Sequence, residues 1–186
     1  MGQSQFVCAG SGNGLEQAVG NSPIRDGIDI LIDTLNELGF DYLFGHTGGA
    51  VLPIYDRINS RIDAGEKVPR VVMYAQEPGA GHAAEGYAKG NCDHKPGLVL
   101  VTSGPGATNL VTPIADAYKD SVPVIFLTGQ VPSKALGTDA FQEVPIVQIT
   151  NCITKYGRII TSTDEIGREL RTAYHIATSG RPGPVL

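Results

Sequence analysis

Paired cysteines, runs of positive charge and long apolar stretches are all missing from this sequence. The three cysteines, Cys8, Cys92 and Cys152, are odd in number, far apart and without a CxxC pair. This excludes a disulfide framework and a cysteine zinc site and points to a reducing, cytoplasmic setting. Only 18% of residues are charged, the net charge is −5, and no basic stripe occurs. That balance argues against a nucleic-acid partner and leaves much of the surface to be covered by something else. No apolar run approaches the length of a membrane span, so a membrane partner is not expected. The opening "MGQSQFVCAGSGNG" lacks the basic-then-apolar order of a signal peptide and shows no transit peptide. Phe6 breaks a myristoylation signal.

Glycine and proline are plentiful instead, 24 and 12 in 186 residues. They punctuate apolar runs and read as tight turns. Residues 1–21 read as a loose polar lead-in and residues 22–186 as one domain. Ser22 and Pro23 look like a helix start. Ile24, Ile28, Leu31, Leu35 and Leu38 follow at helical spacing until Gly39. "DYLFG", "RVVMYA", "GLVLVTS" and "VPVIFLTG" read as strands, and "RPGPVL" begins one more. "GGAVLPIYDRINSRI" reads as a loop entering a second helix, and others are predicted over 79–89, 106–119 and 163–179. Strands that alternate with helices and look apolar on both faces predict an α/β fold. Its parallel sheet carries helices on both faces, a three-layer sandwich. The break in pattern after Leu186 reads as a cut chain.

Ligands in such sheets sit at the carboxyl ends of the strands. That rule marks residues 45–49, Glu77, 103–109 and 128–130 as one rim. Within it, "VTSGPGATN" is compatible with a phosphate loop or with a plain tight turn, since Asn109 replaces the last glycine of GxGxxG and no Walker lysine follows. Glu77 is either a carboxylate favoured by a helix N-terminus or a buried acid tuned by apolar surroundings. His82 reads as a packed histidine, with no partner at ligand spacing, so no metal site is expected. Glu85 reads as a solvated or interface residue. Phe141 and Gln142 lie in a loop, residues 129–143, too long for a mere connector.

Several segments together go beyond pattern: "FGHTGGAVLPIYDRI", "EPGAGHAAEGYAKG", "VTSGPGATNLVTPIADAYKDSVPVIFLTGQVP", "GTDAFQEVPIVQIT" and "SGRPGPVL". In order and spacing, from about residue 24 to 186, they resemble the large subunits of the acetolactate synthase (acetohydroxyacid synthase) family. These are transferases of branched-chain amino-acid synthesis that depend on thiamine diphosphate. The resemblance covers the first of three domains, the one that grips the pyrimidine half of the cofactor. It implies that FAD and Mg²⁺ are bound mostly by the two domains this chain lacks, and that the chain alone is inactive.

The resemblance implies roles for particular residues. Glu77 matches a glutamate that hydrogen-bonds the aminopyrimidine, and Gln142 matches a glutamine near the reacting centre. Gly49, Ala50 and Asn109 match cofactor contacts. Ser121 matches a position on the flavin side. Phe141, Lys155 and Pro132 match the substrate channel, and the last two match positions touched by herbicide-type inhibitors. Departures are His46-Thr47 where the family has Tyr-Pro, Ala75-Gln76 for Arg-His, and Pro78 for Gln. Implied partners are 2-keto acids, a second copy in a homodimer or tetramer with the active site between subunits, and a regulatory subunit. A eukaryotic member would reside in a plastid or mitochondrion. Two other readings remain open: another thiamine-diphosphate oxidase or decarboxylase, against which "GTDAFQE" speaks, and a non-catalytic self-associating domain.

Overall fold

The computed structural model of the chain describes residues 26–186. The expected lead-in, Cys8 and the Ser22-Pro23 helix start lie outside them. In chain order the elements are α1 (Gly27–Glu37), β1 (Tyr42–Gly45), α2 (Leu52–Asp63), β2 (Arg70–Met73), α3 (Glu77–Gly90), β3 (Gly97–Val101), α4 (Pro105–Thr108), α5 (Val111–Asp120), β4 (Val124–Thr128), α6 (Ile146–Thr150) and α7 (Ile166–Thr178). The four strands pair in parallel in the order β2-β1-β3-β4. Helices α1, α2 and α7 share a core with one face of this sheet, and α3 and α5 with the other. Strand β3 shows how the sequence builds both layers. Leu98 and Leu100 enter the first core and Val99 and Val101 the second, because successive strand side chains point to opposite faces. The expected three-layer α/β fold is therefore the observed one.

Four local expectations change. The segment 70–75 is not a buried strand: β2 lies at the sheet edge, with Arg70 and Met73 exposed. The single helix expected over 106–119 is two, α4 and α5. Pro113 has no N–H to offer the Asn109 carbonyl, and a proline is tolerated only in a first turn, where α5 places it. The helix expected over 163–179 opens with a 3₁₀ turn, Thr163–Glu165, before α7. The last strand is a short one, in which Val185 bridges in parallel to both Ile125 and Tyr156. Among the described residues, Cys92 and Cys152 are free thiols, and no helix is long and apolar enough to cross a membrane.

Candidate functional site

Strand ends and glycine turns converge at the carboxyl edge of the sheet. Glu77 opens α3 just beyond β2 and is half-buried. Pro78 follows it in the first turn, where a missing N–H costs nothing. The Glu77 Oε2 accepts a hydrogen bond from Asn109 Nδ2 at 3.0 Å. Its other oxygen faces Gly106, where a Cβ would lie 3.3 Å from Oε1 and 2.7 Å from Thr102 Cγ2. The second oxygen thus lies against a position where any side chain would crowd it.

Thr102, which the sequence analysis did not single out, ties the rim together. Its hydroxyl accepts from the Ala50 N–H at 3.3 Å. Its side chain fills the space where a Cβ on Gly48 would stand, at 2.5 Å. The loop 48–50 also lies against β4, since a Cβ on Gly129 would meet Ala50 Cβ at 2.6 Å. From the far side Gln142 reaches the turn after β3: a Cβ on Gly104 would lie 2.6 Å from its carbonyl oxygen. His46 closes the β1–β2 side, its Nδ1 donating to the Tyr74 carbonyl at 2.8 Å. One rim therefore gathers Ala50, Glu77, Asn109 and Gln142, with Gly49 in the same loop as Ala50. A threonine before a glycine turn is too common in βα units to have marked Thr102 in the sequence.

The other residues carried over from the resemblance lie apart. Ser121 is the left-handed cap that ends α5 ahead of β4, and its hydroxyl accepts from Arg181 Nε at 2.7 Å. Lys155 donates its ammonium to the carbonyl of Ser179 at 2.7 Å and to that of Ile176, closing the end of α7. Burial holds its ammonium below the ordinary lysine range. Both residues precede the strands they belong with, so they sit at the amino edge, opposite the rim. Pro132 is exposed and precedes the 3₁₀ turn Ser133–Ala135 of the long loop. Phe141 is 89% exposed.

Helix α3 corrects two further readings, those of Glu85 and His82. Its small residues are used within the chain: Ala80, Gly81, Ala84 and Ala88 are buried, and a Cβ on Gly81 would stand 2.5 Å from the Pro113 ring. Glu85 is 5% exposed rather than solvated and receives Lys89 Nζ at 2.9 Å. His82 is exposed, not packed, and its Nδ1 lies 3.5 Å from Glu85 and 3.6 Å from Asp116. These three offer ligand atoms within 4.8 Å of one another, a grouping the sequence hid because Asp116 comes from α5. Lys89 neutralises it, bridging Glu85 and Asp120 as part of an ion-pair network between α3 and α5.

A parallel α/β sheet whose carboxyl edge gathers a half-open carboxylate, an amide and close-packed glycine turns defines a ligand-binding domain of the doubly wound kind. Comparison with known proteins makes it particular: the chain belongs to the family described as thiamine pyrophosphate enzyme, N-terminal TPP binding domain, which it matches over residues 25–149. It is 48% identical over 160 residues to the mitochondrial acetolactate synthase catalytic subunit of Saccharomyces cerevisiae, covering 86% of this chain and 22% of that protein. It is 50% identical over 159 residues to the acetolactate synthase large subunit of Lactococcus lactis, covering 86% and 26%. With the chloroplastic acetolactate synthase of Arabidopsis thaliana the figure is 46% over 162 residues, covering 87% and 23%. The chain thus spans about a quarter of the length of these relatives.

Proposed function

We propose that this chain forms the pyrimidine-binding part of an acetolactate synthase-type carboligase, which joins the two-carbon unit of pyruvate to a second 2-keto acid. The observation that carries the reading is the Glu77 carboxylate, held by Asn109 through one oxygen and set with the other against side-chain-free Gly106. Thiamine diphosphate, when bound, supplies the electron sink for the loss of carbon dioxide from the keto acid. Glu77 Oε1 would share a proton with a ring nitrogen of the aminopyrimidine and so set its protonation. Gly49 and Ala50 would lie over the ring, Asn109 would keep the carboxylate aimed, and Gln142 would face the reacting keto acid. The rim suits this half of the cofactor. Glu77 is the carboxylate set among the strand ends, whereas that of Glu143 is taken up by its own loop.

We assign most contacts with magnesium, the diphosphate and FAD to other parts of the enzyme; any substrate-channel role of Lys155 or flavin-side role of Ser121 would arise where those parts meet the amino edge of this sheet. Pro132 and Phe141, both exposed at the long loop, would border the channel. The yeast relative is named a catalytic subunit and the bacterial one a large subunit. By extension, this chain would work beside a second kind of subunit. Leu52 and Met73, each about half exposed, and Phe141 flank the rim. Apolar surface of that kind fits a second copy closing over the site.

The test is Glu77→Gln in the full-length enzyme. Acetolactate formation and proton exchange at the thiazolium carbon should both slow by ~100- to 10,000-fold; exchange at the parent rate overturns the reading. The 186-residue chain alone, given pyruvate, cofactor and magnesium, should form no acetolactate.

A further inference from the structure

Glu143 stands one residue beyond Gln142 and has no part in the reaction as proposed. Its carboxylate folds back on its own loop. Oε1 accepts from the Gly137 N–H at 2.5 Å and Oε2 from the Ala140 N–H at 3.1 Å. The Glu143 N–H donates in turn to the Ala140 carbonyl at 2.8 Å. Gly137 acts first, and Ala140, Thr138 and Asp139 add to it; together these backbone donors hold the carboxyl below the ordinary glutamate range. The N–H groups of Gly137 and Ala140, at the two ends of one turn, thus point at one charge, as in a backbone nest around an anion. Here the anion is part of the chain.

The loop so closed is not a relaxed one. Asp139 and Gln142 have φ of 56° and 63°, beside Gly137 at 82°. Side-chain-bearing residues keep a left-handed backbone only where their surroundings over-determine it. What the strain achieves is visible at Gln142. Its carbonyl oxygen and Cβ come within 2.6 and 2.8 Å of where a Cβ on Gly104 would be. Gly104 caps α4, which leads directly to Asn109 and so to Glu77. Phe141, beside it, is held outward.

We propose that Glu143 is a positioning residue of this site: by binding the N–H groups of Gly137 and Ala140 it fixes the loop that seats Gln142 on the Gly104 turn and presents Phe141 at the rim. It touches no reacting atom and acts through Gln142. The loop clamp is a property of this chain by itself; only its consequence for turnover rests on the proposed function.

The two parts are tested separately. In this chain, amide hydrogen exchange at Gly137 and Ala140 should be slow for so exposed a loop, with downfield amide proton shifts. Glu143→Gln, which has one acceptor oxygen and an unwanted donor, should raise exchange there by roughly tenfold or more, with β3 and β4 amides unchanged. Glu143→Asp, shorter by one methylene, should fall between. Exchange of the parent loop amides at free-peptide rates overturns the clamp, even if the glutamine variant does not fold. In the full-length enzyme, Glu143→Gln should lower kcat/KM for the keto acid by ~10- to 100-fold, with partial recovery in Glu143→Asp and unchanged thiamine diphosphate affinity. Lost amide protection with unchanged kcat/KM overturns the positioning role. A fully active Glu77→Gln enzyme would instead sink the proposed function and leave the loop result standing.

Discussion

In the role proposed for it, Glu77 depends on few neighbours. One hydrogen bond from Asn109 fixes the carboxylate, and the absence of a side chain at Gly106 leaves its second oxygen uncrowded on that side. The penalty for Glu77→Gln should therefore fall on rate and not on stability. A carboxylate in a first helical turn contributes only about 0.3–1 kcal/mol, so the urea midpoint should move little. Glu66→Gln, at an exposed position loosely paired with Arg61 at 3.6 Å, is the matched control and should leave both rate and midpoint unchanged. Glu85→Gln is a poor control despite lying in the same helix as Glu77, because Glu85 is buried and ion-paired with Lys89. A large loss of stability in Glu77→Gln would mean that the carboxylate is a structural cap.

At the scale of elements, the packing of α3 on α5 depends on side chains that are not there. Gly81→Ala would put a methyl group 2.5 Å from the Pro113 ring, which cannot swing aside. Overpacking of this kind costs about 1–3 kcal/mol, readable as a lowered urea midpoint. Gly86→Ala in the same helix meets nothing within 4 Å and should stabilise by about 0.5–1 kcal/mol, the difference in helix propensity. Equal effects of the two would show that helix propensity, not contact, governs this helix. The junction of α7 with the sheet is electrostatic as well as apolar. Burial pushes the Glu169 carboxyl upward, but the Tyr156 hydroxyl at 2.9 Å, with Arg168 and Arg158, outweighs it and leaves the group below the ordinary glutamate range. A carboxylate depressed in the folded state adds stability above its unfolded pKa and loses it as pH falls through the folded value. The parent should therefore lose stability from about pH 5 downward, and Glu169→Gln should flatten that fall. Identical acid arms in parent and variant would exclude this source.

For the whole molecule, the rim is flanked by surface that a lone domain leaves wet. Leu52 is 48% exposed, Met73 49% and Phe141 89%. All three lie at the carboxyl edge, where β1 and β2 end and the long loop returns. We expect the chain to self-associate through this edge as a symmetric pair. Sedimentation at high micromolar concentration should show a dimer, and Phe141→Ser should weaken it. A monomer at that concentration, or a dimer indifferent to Phe141, would place the contact elsewhere or remove it.

Periodicity alone was enough for the parallel α/β plan, because Leu98-Val99-Leu100-Val101 is apolar at every position and a strand of that kind must be covered on both faces. The carboxyl-edge rule was enough to bring residues 45–49, Glu77, 103–109 and 128–130 into one rim, since parallel strands end together. Three-dimensional packing decided the rest. Whether a charge is solvated depends on what a distant element lays over it, so Glu85 read as solvated or at an interface and is buried within the chain, and His82 read as packed and is open. Which edge of the sheet a residue occupies depends on where it stands relative to its strand, so Ser121 and Lys155 belong to the far edge from Glu77. Thr102 and Glu143 act through backbone groups close in space, and a backbone N–H has no letter in the sequence.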